Sequence, residues 1–183
     1  MGRAAVCAAV PWLVTGFMHL DGYMDVCDAV LSRRDLATRQ RILKDSHCGA
    51  FAVICMVLLA MGQWSLFLAA EDVSWLALLL IPAATRACAG LAVLGLRPMG
   101  TSQYAAMGPA RGGYGAALWV LLALSVGLPL WLDGSFGPLA AAVGYGLAVW
   151  YGFRNLDGMS GDISGFALTI GELCGCGAAI LWR

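Results

Sequence analysis

The sequence predicts an all-α protein, a polytopic membrane bundle of about six spanning helices forming a single domain over residues 1–183. Three observations carry that reading. Hydrophobic residues make up 61% of the chain and charged residues 12%, against roughly 25% charged in soluble domains. Mean hydropathy is +0.79. The apolar residues fall into runs near the ~20-residue length that crosses a bilayer, at 4–20, 49–70, 74–95, 114–132, 137–153 and 163–182. The formal net charge is zero, and no basic patch interleaved with aromatics is present, so nucleic acid is excluded as a partner. Arg3 is followed by an apolar run that flows into an acidic motif without a small-residue cleavage site, so the start does not read as a cleaved signal.

Each element follows from local composition. The run at 4–20 predicts a short first span. The interval Asp21–Cys48 is too long for a turn and predicts helix, broken near Arg33-Arg34-Asp35 and resumed over Leu36–Lys44, where good helix formers recur. Asp45 or Ser46 is expected to cap the second span. The interval Arg97–Gly113 carries Pro98, Gly100, Pro109, Gly112 and Gly113 and predicts a loop. Arg154–Asp162 predicts a shorter one, with Asp162 capping the last span. The seven cysteines lie mostly in apolar runs and lack metal-site spacing, so they read as small hydrophobes.

Orientation follows from the basic residues. Alternating the spans gathers Arg33, Arg34, Arg39, Arg41, Lys44, Arg97, Arg111 and Arg154 on one side. Glu71, Asp72 and Asp133 take the other, with Arg3 and Arg183 the basic ends there. The positive-inside rule makes the first side cytoplasmic, with both termini of this chain outside. Arg86 and Glu172 fall near mid-depth in their spans, where a charge must pair or face a cavity. An ion pair between them is the favoured reading; the alternative sets Arg86 under a substrate phosphate.

The chemistry concentrates in Thr15–Asp28. Asp21, Asp25 and Asp28, spaced i, i+4 and i+7, fall within a roughly 60° sector of a helix. Stacked like charges repel and require a cation, protons or basic partners. A hard divalent ion such as Mg²⁺ suits them, because it takes oxygen ligands from one or two carboxylates and leaves positions for phosphates. Asp21, Asp25 and Asp28 are therefore the candidate metal ligands, and Asp25, Asp28 and His19 the candidate catalytic groups, His19 as a general base or hydrogen-bond donor. Lys44, Asp45 and His47 at the head of the second span are candidate binders of a diphosphate. Leu-Asp-Gly at 20–22 recurs at 156–158, and Asp162 on the same side is expected to share the site.

Taken together, three segments resemble the signatures of the cobalamin synthase family. They are His19-Leu-Asp21-Gly22-x-x-Asp25-x-x-Asp28, Lys44-Asp45-Ser46-His47-x-Gly49-x-Phe51 and Gly158-x-x-Gly161-Asp162-x-x-Gly165. The resemblance implies an integral transferase of the bacterial inner membrane, dependent on Mg²⁺, with its active site facing the cytoplasm. It implies joining of adenosylcobinamide-GDP to α-ribazole or its 5′-phosphate, releasing GMP, late in vitamin B12 synthesis. By position, Asp21, Asp25 and Asp28 match the metal motif, and Asp45 and Asp162 match the acids of the other signatures. Ala29 stands where the family commonly has glycine. Family members usually carry an apolar span or more before the first motif, so the resemblance implies a shortened member or a start upstream of Met1.

Two other classes are weighed against this one. A CDP-alcohol phosphotransferase also uses clustered aspartates, but its signature expects Asp-x-x-Asp-Gly and a later aspartate pair absent here. A cation-coupled transporter would place its acids near the midplane, whereas these gather at one edge. Oligomeric state is left open.

Overall fold

The computed structural model describes residues 1–100, 102, 104 and 114–182. Among them the chain forms eight helices and no strands: α1 (Gly2–Val14), α2 (Met18–Leu31), α3 (Leu36–Ile42), α4 (Ala50–Ala69), α5 (Trp75–Gly95), α6 (Gly115–Leu132), α7 (Gly137–Leu156) and α8 (Gly161–Leu181). Pro109, Arg111, Gly112, Gly113 and Arg183, used above, lie outside the described residues. The helices α4, α5, α6 and α8 are each long and apolar enough to cross a membrane, and α1 with α2 makes a fifth candidate if counted as one bent span. The protein is thus a multi-pass membrane protein. The expected fifth span at 137–153 is helical, but the glycines of α7 and its Arg154-Asn155 end dilute its apolarity.

The expected first span at 4–20 is corrected: it is broken rather than one helix. α1 has 13 residues, about 20 Å at 1.5 Å per residue, short of the roughly 30 Å hydrocarbon core. It ends where Thr15 Oγ1 donates back to the carbonyls of Pro11 and Trp12, 3.0 and 3.1 Å away. Gly16 (φ 59°) and Phe17 (φ 63°) then take left-handed conformations, and α2 leaves at 89° to α1. Hydropathy runs through this bend without a signal.

Helix α8 is the centre of the bundle. Residues 163–169 are buried without interruption, and a helix apolar all round belongs in a core. α7 lies against it along glycines: a Cβ on Gly171 would stand 2.8 Å from the Ala141 carbonyl oxygen. α2, α4 and α5 complete the surround, and α6 packs outside α5. The outward faces of α4 and α6, with Val53, Ile54, Leu58, Met61, Trp119, Leu124 and Trp131 exposed, are lipid-facing in such a bundle.

The end carrying the motifs is held by polar ties. Asp35 caps α3, accepting from the Thr38 amide at 3.0 Å. From α3, Arg39 Nη1 donates to Asn155 Oδ1 (2.9 Å) and Gln40 Nε2 to the Leu156 carbonyl (2.8 Å), docking it on the end of α7. The Met99 amide donates to the Met159 carbonyl (2.8 Å) and the Met159 amide to the Arg97 carbonyl (2.9 Å), an isolated parallel bridge between Pro98 and Met159, and Arg97 pairs with Asp157. Gly158 sits at φ 149°, where a Cβ would come within 2.6 Å of Met99 Cα. At the opposite end Ser74 hydrogen-bonds Asp133. The described basic loop residues thus lie together, as alternation of spans predicts.

Two capping expectations are corrected. Gly49, not Asp45 or Ser46, is the N-cap of α4; Asp45 instead accepts from the His47 amide at 3.0 Å. Ser160, not Asp162, caps α8, its Oγ accepting from the Ile163 amide.

Candidate functional site

Helix α2 is continuous over all three of its aspartates. Its other face, with Tyr23, Val26, Ala29 and Val30, is buried against the bundle, which turns Asp21, Asp25 and Asp28 outward. Ala29 is fully buried there. Tyr23 fixes the rotation of α2 by stacking on Phe166 at 5.7 Å and donating its hydroxyl to the Cys55 carbonyl at 3.2 Å. The approach of α2 to α8 is close enough to exclude a methyl group. A Cβ at Gly22 would lie 2.8 Å from the Asp162 carbonyl oxygen and 2.9 Å from Asp162 Cα. Both are backbone and cannot yield, so Gly22→Ala is expected to lower stability by about 1–3 kcal/mol. Thermal unfolding in detergent checks this; an unchanged midpoint would contradict the packing.

Two adjoining clefts result. The larger, about 530 Å³, is bordered by His19, Asp21, Lys44, Tyr104, Asp162 and Ser164 among others. The smaller, about 330 Å³, is bordered by Asp21, Asp25, Asp28, Lys44, Asp45, Ser46 and His47 among others. Asp21, Leu43 and Lys44 border both and form the seam between them. Residues more than a hundred positions apart are thereby brought to one place.

Electrostatics make the seam an unbalanced one. Asp25 feels the charge of Asp21, Asp162 and Asp28, and Asp162 is opposed by Asp21 and attracted by Lys44. Four carboxylates with one close lysine leave negative charge to be neutralised. Asp28 is partly served by the fold. Its carboxylate stands against Gly49, where a side chain would collide with it, and a helix N-terminus favours negative charge. Among the described residues no three His, Cys, Asp or Glu side chains converge as a ready-made metal cage. Asp21, Asp25, Asp28 and Asp162 nonetheless offer carboxylate oxygens around the seam, the chemistry Mg²⁺ selects, and that ion is commonly held by one or two carboxylates plus substrate phosphates. The residues fit such an ion.

The remaining candidates are placed as follows. Asp45 Oδ1 also meets His47 Nδ1 at 2.6 Å, and that contact, with the His47 amide, holds the Asp45 carboxyl below its usual range. Both are largely exposed, on the rim of the smaller cleft. His19 borders the larger cleft and lies within electrostatic reach of Arg86 and Glu172. Arg86 itself borders neither cleft. It pairs with Glu172 and donates to the Pro82 carbonyl at 3.2 Å, as the favoured ion-pair reading expects. Residues that motif reading passed over also border the larger cleft, among them Met99, Ser102, Tyr104, Ser160 and Ser164. Tyr104 hydrogen-bonds Ser164, which also lies 3.4 Å from the buried Tyr145 hydroxyl. A lone tyrosine in a Gly/Pro-rich loop carries no periodic signal; only proximity to Asp162 marks it.

With that geometry in view, comparison with known proteins is specific. The model of a family described as cobalamin-5-phosphate synthase matches residues 1–180. A Clostridium perfringens (strain 13) protein named adenosylcobinamide-GDP ribazoletransferase is 35% identical over 184 residues, 96% of this chain and 72% of its own. A namesake from Thiobacillus denitrificans is 38% identical over 178 residues, covering 92% and 68%. A third, from Clostridium botulinum (strain Alaska E43), is 33% identical over 193 residues, covering 98% and 74%. No solved structure matches.

Proposed function

Since this chain belongs to the cobalamin-5-phosphate synthase family, we propose that it is an adenosylcobinamide-GDP ribazoletransferase working at the seam between its two clefts. It transfers the adenosylcobinamide-phosphate moiety of adenosylcobinamide-GDP to α-ribazole or its 5′-phosphate. The products are adenosylcobalamin, or its 5′-phosphate, and GMP. The observation that carries the reading is the seam itself, where Asp21 and Lys44 face both clefts and three separate motifs meet.

In this reaction a ribose 3′-hydroxyl attacks the phosphorus attached to the corrinoid's aminopropanol arm. The bond from that phosphorus to the GMP oxygen breaks, and GMP carries the electron pair away. Catalysis of such a displacement is mainly positioning and charge stabilisation. Lys44 borders both clefts and would meet the diphosphate from either, and His47 flanks the smaller one. His19, which borders the larger cleft, would be the group that takes the hydroxyl proton. One or two of Asp21, Asp25 and Asp28 would hold Mg²⁺ together with the substrate's phosphates, with Asp162 across from them. When bound, that ion supplies charge neutralisation of the diphosphate. The cluster of basic loop residues supports a cytoplasmic orientation of both clefts in the bacterial inner membrane.

The test is a metal titration on membranes carrying the full chain. Chelation is expected to stop formation of adenosylcobalamin and GMP, and added Mg²⁺ to restore it. Undiminished turnover in excess chelator would sink the metal role; no product under any condition would sink the transferase reading.

A further inference from the structure

Gly49 stands at the head of α4 for a reason the helix itself does not supply. Its φ of −87° and ψ of 170° are the extended conformation of an ordinary N-cap residue, open to any side chain. Ser, Asp and Asn cap a helix at least as well as glycine, by accepting a hydrogen bond from the first turn, and Gly49 makes no such bond. What excludes a side chain is Asp28. A Cβ at Gly49 would fall upon both carboxylate oxygens and the Cγ of Asp28. Resting on the transferase reading, we propose that Gly49 is a positioning residue, whose bare Cα is the seat that holds the Asp28 carboxylate in the wall of the smaller cleft.

The packing on either side leaves the carboxylate as the part that yields. α2 is fixed against α4 by the Tyr23 hydroxyl, which donates to the Cys55 carbonyl at 3.2 Å, and by Val26 and Ala29, both fully buried. Within the first turn of α4, Ala52 is buried as well. A Cβ at position 49 therefore meets less resistance from the far end of the Asp28 side chain than from two packed helices, and Asp28 rotates off its seat. Asp28 borders the smaller cleft together with Asp25, Lys44 and His47. Rotation takes its charge away from the helix N-terminus that favours it and changes its bearing on a cation and a diphosphate in that cleft. The middle signature thereby contributes a space, filled by an acid of the first.

Capping and positioning give opposite expectations for serine. Gly49→Ser supplies a better N-cap than Gly49→Ala, while both bring the same Cβ. The probe is Mn²⁺, bound to the full chain in detergent without substrate and followed by electron paramagnetic resonance. Both variants are expected to weaken Mn²⁺ binding about tenfold, with the unfolding midpoint of Gly49→Ser at or above that of Gly49→Ala. Asp28→Ala alone should weaken binding at least as much. Gly49→Ser added to Asp28→Ala should change it further by less than about twofold, since no carboxylate is left to displace. With substrates present, Gly49→Ser should lower kcat/KM about tenfold, again with no further loss on Asp28→Ala. Wild-type Mn²⁺ affinity or turnover in Gly49→Ser would overturn the positioning role. So would losses in the Ala and Ser variants that follow their unfolding midpoints, a full further loss on Asp28→Ala, or wild-type binding in Asp28→Ala. The same binding pattern in a protein that forms no adenosylcobalamin under any condition would sink the transferase reading and leave the role of Gly49 standing.

Discussion

Replacing Asp25 with asparagine is expected to lower kcat by about a thousandfold or more, with membrane insertion and unfolding temperature unchanged. The side chain is isosteric and only partly buried, while Val26 and Ala29 beside it are fully buried and keep α2 in place. What is removed is one formal charge from a ring in which Asp25 faces Asp21, Asp28 and Asp162 together. Charge placed to neutralise a transferring phosphoryl group acts most strongly in the transition state. Asp45→Asn should cost much less, because Asp45 lies on an exposed rim and is engaged with His47. Single-turnover rates of both variants, with insertion checked by protease accessibility, settle the comparison. An Asp25→Asn protein with wild-type turnover would remove Asp25 from the mechanism.

The second large effect is on stability. Arg86 and Glu172 sit near the midpoints of α5 and α8 and tie those helices together. Glu172→Gln leaves the guanidinium without its counter-charge midway along the spanning helices, and is expected to destabilise by roughly 3 kcal/mol. The double variant Arg86→Gln with Glu172→Gln removes both charges and should recover most of that loss. Thermal unfolding followed by tryptophan fluorescence measures the cycle. The opposite result, an unchanged unfolding temperature in Glu172→Gln with a raised KM for adenosylcobinamide-GDP, would return Arg86 to the substrate.

Much of the site was legible because its parts are local. The i, i+4, i+7 spacing of Asp21, Asp25 and Asp28 determines one helix face wherever the helix lies, and α2 presents that face. The basic loops declare their common side through charge alone. Glycines also carried information, although their use appears only in three dimensions. Gly22 and Gly165 are where α2 and α8 touch, and Gly49 makes room for the Asp28 carboxylate. The site residues that motif reading missed come from the loop after α5 and from the N-cap and first turn of α8. Tyr104 and Met99 enter the cleft because Pro98 pairs with Met159, a contact across sixty residues that no window can register.

The sequence by itself determined the membrane class, the helices long enough to span, the acidic face and the three motifs, since apolarity and helical period are properties of short stretches of chain. Only the tertiary structure decided the bend at Gly16-Phe17, the partnering of Arg86 with Glu172, and the seam that Asp21 and Lys44 share. A left-handed residue pair costs little in hydropathy and so leaves no trace in it. An ion pair and a seam are distances between helices, set by how their surfaces pack.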